Sequence, residues 1–130
     1  MRKRKSPLQK AKENPQSTYW RNKADAAWSA TIRRHYKGRC AYCGEPGRDT
    51  HHLVDRDVFV LRHETLNGIL LCYQHHRGNA RVSAHRGSVG FLAWFMQHWP
   101  DRWEYLVAHY MYRDVPDYQA AVERLKRESV

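Results

Sequence analysis

Between Cys40 and His85 the chain places all three of its cysteines and six of its nine histidines. The run reads CAYCGEPGRDTHHLVDRDVFVLRHETLNGILLCYQHHRGNARVSAH. Nothing else in the sequence restricts the fold as strongly, because metal-ligating side chains far apart in the chain must meet at one ion. An odd number of cysteines argues against a disulfide framework. Cys40-x-x-Cys43, followed by Gly44, lets two thiolates reach one tetrahedral ion from a single turn. Cys72-x-x-His75 offers a second pair at matching spacing. Together they predict a Cys3His zinc site that pins the first turn to a later helix. Such a site contributes folding free energy directly, so the metal-free protein is expected to be partly unfolded. The alternative is three buried thiols with no metal.

His51, His52, Asn67 and His76 remain outside that set. Adjacent residues on a strand point to opposite faces, so His51 and His52 can serve different tasks if the backbone twists enough for both to reach one pocket. Adjacent residues on a helix are about 100° apart, which lets His75 face the zinc while His76 faces a second ion. Each histidine alone reads as an ordinary polar residue. The joint pattern points to two metal sites in about forty-five residues.

The flanking segments read as helices around this module. Residues 1–13, MRKRKSPLQKAKE, are basic and aperiodic and read as a flexible arm. Trp20, Ala24, Ala27, Trp28, Ile32 and Tyr36 then recur at helical spacing, with Gly38 as a C-terminal cap. Thr50–Leu61 is rich in β-branched and aromatic residues and suggests a strand or hairpin. Asn67-Gly68 reads as a turn, Ile69–Leu71 as a buried run, and a helix is expected from Cys72 or Tyr73. Ser88 caps a further helix carrying Phe91, Leu92, Phe95 and Trp99, ended by Pro100. Asp101 opens another, with Trp103, Leu106, Val107, Tyr110 and Met111 on one face. A last helix is expected over 116–127, using Tyr118, Val122 and Leu125. The aromatic residues of this C-terminal part read as core.

The 130 residues suit one domain. No apolar run approaches a membrane span, and no apolar segment follows the basic N-terminus as in a secretory signal. These features predict a soluble protein of the cell interior. The formal charge of +10 is placed unevenly, because residues 1–39 carry twelve Lys and Arg against Glu13 and Asp25, and the remainder is balanced. An arm of that kind suits a polyanion, since each neutralised phosphate releases counterions. Arg2, Lys3, Arg4, Lys5, Arg33, Arg34, Lys37 and Arg56 are the candidate nucleic-acid contacts.

Cys-x2-Cys, then His-His-Leu, then Asn-Gly-Ile-Leu-Leu-Cys-x2-His-His resembles the HNH (ββα-metal, His-Me finger) endonucleases, over residues 40–76 and as far as His85. The small size and basic arm are similar to zinc-stapled, phage-type members. The resemblance implies an α+β fold: a ββα-metal module with a zinc knuckle, flanked by an N-terminal helix and two or three C-terminal helices. The nuclease domain would span 14–130, with its core motif at 40–85 and a helical part at 88–127. By the family pattern His51 and His76 bind a catalytic divalent ion (Mg²⁺, Mn²⁺, Ni²⁺ or Zn²⁺), His52 is the general base, and Asn67 holds the active-site loop. The implied partner is duplex or branched DNA in a bacterial or phage-infected cytoplasm, cut to 3′-hydroxyl and 5′-phosphate ends.

Two positions depart from the pattern. Many zinc-stapled members have cysteine where this chain has His75, an exchange zinc accepts. Colicin-type members add a metal-binding histidine four residues beyond the one matching His76, where this chain has Ala80. His85 can replace it if the helix ends near Gly78, with Asn79 as a weaker option. Arg56 and Arg62 lie close enough in sequence to clamp phosphate, and His63 reads as a surface residue. A non-catalytic zinc module that binds nucleic acid through the basic arm is the alternative function.

Overall fold

Ile69, Leu70 and Leu71 form strand β2 (Gly68–Leu71), which pairs antiparallel with β1 (Asp49–His52), His51 opposite Ile69 and His52 opposite Gly68. Side chains alternate across a strand. Ile69 and Leu71 therefore enter one core with Cys40, Leu61, Phe91, Phe95 and Leu106. Leu70 enters another with Trp28, Ile32 and Leu125. Helical layers on both faces explain why this strand is an unbroken apolar run.

The computed structural model describes residues 3–128, and Arg2 lies outside them. Among the described residues the chain is a small α+β unit of seven α-helices, one 3-10 turn and this two-stranded sheet. Helix α1 spans Pro7–Glu13 and α2 spans Thr18–His35. Helix α3 (Phe59–Arg62) and the 3-10 turn Thr65–Asn67 lie between the strands, and α4 (Tyr73–His76) follows β2. Helices α5 (Ser88–His98) and α6 (Pro100–His109) cover the Ile69 face, and α7 (Tyr118–Glu128) packs on α2. Ala24 of α2 meets Ala121 and Val122 of α7, small side chains that let the two axes come close. No described helix is long and apolar enough to cross a membrane.

Several expectations from sequence change. The basic arm contains a helix: Ser6 caps α1 by accepting from the Gln9 N–H while the Gln9 side chain accepts from the Ser6 N–H, with Pro7 in the first turn. The Trp20 indole donates to the Lys12 carbonyl and the Ser17 hydroxyl to the Ala11 carbonyl, holding α1 against the start of α2. The strand expected over Thr50–Leu61 stops at His52, and Phe59–Arg62 is helical. Asn67-Gly68 is not a tight turn but the join between the 3-10 turn and β2. Gly68 is extended there, and a side chain on it would collide with Ile32 and Trp28, so glycine admits α2 to the sheet.

Pro100 occupies the first turn of α6 rather than only ending α5. The apolar stripe expected on α6 is mostly unburied, since Leu106 is in the core while Val107, Tyr110 and Met111 are exposed. His63 is buried, not a surface residue, and its Nε2 lies 2.6 Å from Asp25 Oδ1. Arg62 is buried as well and forks onto both Asp25 oxygens at 2.8 Å. That pairing consumes the guanidinium, so Arg62 is not free to clamp a phosphate.

Candidate active site and metal centres

The first turn of the knuckle is tied to β2 by the Ala41 N–H, which donates to the Leu70 carbonyl at 2.8 Å. Gly44 adopts φ +77, and its N–H donates to the Cys40 carbonyl. Cys40, Cys43, Cys72 and His75 bring their ligand atoms within 4.8 Å of one another. Cys43 and Cys72 sulfurs are 3.8 Å apart, and His75 Nδ1 is 3.2 Å from Cys72 and 4.0 Å from Cys40. A tetrahedral zinc with Zn–S bonds of about 2.3 Å has S···S edges of about 3.8 Å. The four side chains thus fit zinc. Burial alone would raise the Cys40 thiol, but backbone N–H groups of Cys43, Cys72 and Tyr42 bring it below its ordinary value. That favours the Cys40 thiolate, while burial and the adjacent Cys40 and Cys72 push Cys43 up to about 11.

His51, His76 and His85 form a second group whose ligand atoms also lie within 4.8 Å of one another. Helix α4 is only one turn long, the condition His85 requires. The chain then doubles back, and the Ala84 and His85 N–H groups donate to the His75 and His76 carbonyls at 2.9 Å. His85 Nε2 thereby comes 3.1 Å from His76 Nε2. Asn79 does not join, because its Oδ1 accepts from Arg86 at 2.7 Å.

Asp49, which the sequence reading passed over, sits 3.0 Å from His76 Nδ1. A carboxylate can only accept, so Nδ1 carries the proton and Nε2 presents its lone pair to the group. Carboxylates commonly fix metal-binding histidines in this way. Its place two residues before His51, at the head of β1, was the available signal. Burial, then the neighbouring His76 and His85, push His51 down to about 3. The ring is neutral near pH 7, as a ligand must be.

His52 points across the strand from His51 and stacks on Trp28, ring centroids 4.0 Å apart and planes 8° from parallel. Its Nε2 lies 3.0 Å from the Arg62 carbonyl. A carbonyl only accepts, so Nε2 holds the proton and the neutral ring leaves Nδ1 as a free base. Burial pushes His52 below its ordinary value, against the Arg62 carbonyl, which favours the protonated ring. Both histidines of the pair line one cavity of about 430 Å³ with Thr50, Asp55, Arg56, His76, Arg77 and His85.

Asn67 is fully buried. Its Oδ1 accepts from the Val54 N–H at 2.7 Å, and its Nδ2 donates to the Val54 and Leu61 carbonyls at 3.0 and 3.1 Å. One side chain thus ties both ends of the loop that follows the His51–His52 pair. Asp25 secures the far end through Arg62, whose carbonyl orients His52. Burial opposes the Asp25 charge, but the hydrogen bonds from Arg62 and His63 outweigh it and hold the carboxyl well below the usual range.

The expected nucleic-acid contacts disperse. Arg56 reaches the cavity rim, as does Arg77, which the sequence reading did not single out. Arg33 donates to the Arg48 carbonyl, whereas Arg34 donates to Thr31 and lines a separate cleft with His35, Thr65 and Glu128. Lys37 is exposed in the α2–knuckle turn at φ +54. Lys3, Arg4 and Lys5 precede α1, and Lys5 pairs with Glu13. No known protein family, curated protein or solved structure matches this chain.

Proposed function

We propose that this protein is a metal-dependent endonuclease of the HNH type that hydrolyses phosphodiester bonds in DNA, with β1, β2 and α4 as its ββα-metal module. One observation carries the reading: a neutral base and a three-imidazole cluster share one cavity, with separate groups fixing the tautomer of each. Asp49 turns His76 Nε2 towards the cluster, and the Arg62 carbonyl leaves His52 Nδ1 unprotonated. A divalent ion held by His51, His76 and His85 would supply Lewis-acid stabilisation of the charge that builds on the phosphoryl oxygens. Three imidazoles without a direct carboxylate suit Zn²⁺ or Ni²⁺ better than Mg²⁺.

The chain's own part follows from the cavity. Arg56 and Arg77 at the rim attract the phosphodiester. His52 Nδ1 accepts a proton from the attacking water as its oxygen bonds to phosphorus, and the P–O bond to the leaving oxygen breaks. Asn67 does not titrate, and serves by holding the loop.

The test is plasmid cleavage by purified protein with Zn²⁺, Ni²⁺, Mn²⁺ or Mg²⁺. His52→Ala should abolish cleavage while zinc content and fold persist. Cleavage unchanged in that variant, with contaminating nuclease excluded, would overturn the assignment of His52. DNA binding without cleavage across all four metals would instead support a non-catalytic zinc module.

A further inference from the structure

Three arginines gather on the α4 side of the cavity. Arg48 sits over the Tyr73 ring, its guanidinium carbon 5.1 Å from the ring centre. Its side chain is nonetheless 62% exposed, and its Nε faces Asp49 Oδ1 at 3.8 Å while His76 takes the other oxygen, Oδ2. Arg33 donates to the Arg48 carbonyl at 2.7 Å, bringing the end of α2 to the same place. Arg77, one helical turn beyond Tyr73, stands exposed on the cavity rim and makes no ion pair among the described residues. Arg77 caps the end of α4, its N–H donating to the Tyr73 carbonyl at 2.8 Å, so successive contacts join Arg33, Arg48 upon Tyr73, and Arg77.

We propose that Arg33, Arg48, Tyr73 and Arg77 form a cationic shelf that holds the phosphodiester backbone of duplex DNA on the α4 side of the histidine cavity. The proposal rests on the nuclease reading and extends it by saying where the substrate lies beyond the scissile phosphate. A guanidinium held over a ring loses less freedom on binding than an unsupported one, and its N–H fork can address a planar or tetrahedral anion. Tyr73 is the one ring of this shelf and Arg48 sits over one of its faces, whereas single-strand binding by stacking uses several rings in succession. That favours the backbone of a duplex over single-stranded binding by stacking. Arg56, which also lines the cavity, gives the strand a further cationic contact.

The experiment uses zinc-loaded, full-length protein carrying His52→Ala, so that DNA stays intact. Binding of a fluorescein-labelled duplex two helical turns long is followed by anisotropy over a range of salt. Adding Arg48→Ala and Arg77→Ala should flatten the plot of log affinity against log salt by about one unit each. Arg127→Ala on α7 should leave it unchanged. Arg48→Lys should keep the slope yet bind more weakly, since charge remains and the planar fork is lost. A duplex bound with an unaltered slope in the double variant overturns the shelf while leaving the nuclease reading intact. No salt-dependent duplex binding by any form overturns both. Tighter binding of the corresponding single strand overturns the choice of duplex.

Discussion

Asn67 offers the sharpest test of how the loop over the cavity is held. Its amide makes three hydrogen bonds from a fully buried position, two to Val54 and one to Leu61. At about 1 kcal/mol net each, Asn67→Ala should lower stability by about 3 kcal/mol. The Val54 N–H and two carbonyls left without partners make this a lower bound. Urea unfolding at fixed free zinc is the assay, because any change in bound metal would add its own contribution. Asn67→Asp sharpens the argument. One oxygen still accepts from Val54, but the other now faces two carbonyl oxygens that cannot donate. Its folded-state pKa should therefore lie above the unfolded value of about 3.9. Measured against the wild type, the variant should lose least stability below that pH and more as pH rises through the folded value. A cost under about 1 kcal/mol for Asn67→Ala, or an Asp variant whose deficit against the wild type shrinks with rising pH, would refute this account of the loop.

Asp25 should behave in the opposite sense. Its carboxyl is held below the usual range, so its contribution is present above the unfolded pKa and disappears as pH falls through the folded one. Asp25→Asn should flatten the acid limb of stability measured by thermal melts against pH. Asp49→Ala should weaken metal binding at the histidine cluster about 10- to 100-fold, read by titration calorimetry, and leave the Cys3His site loaded. Stripping metal with a strong chelator should release a zinc that cobalt can replace with thiolate charge-transfer absorption, and should loosen the sheet as seen by amide exchange.

The local segments explain which parts of this structure were open to reading in one dimension. Cys40-x-x-Cys43 and Cys72-x-x-His75 announce their convergence because ligand spacing is itself a local geometric rule. Ile69–Leu71 is apolar throughout because both faces of β2 are covered. The Ser6-Pro7-x-Gln9 signal for α1 was also present, but charge obscured it. By contrast, Val58–Leu61 has strand-like composition yet turns helical at Phe59, since Asn67 and Asp25 fix the segment from distant positions. Local propensity is a weak constraint beside buried hydrogen bonds of that kind.

The division is clearest at the doublets. By itself the sequence determined that His51 and His52 part across a strand, that His75 and His76 part around a helix, and that four side chains have zinc spacing. Backbone period sets those facts, and period is written in the chain. Tertiary structure alone decided that His85 meets His51 and His76, because α4 stops after one turn and the chain folds back along its carbonyls. It also decided that Asp49 orients His76, that Trp28 and the Arg62 carbonyl fix His52, and that Arg62 is spent on Asp25. Each of these joins residues whose meeting depends on packing between layers, and no local rule in the chain encodes that.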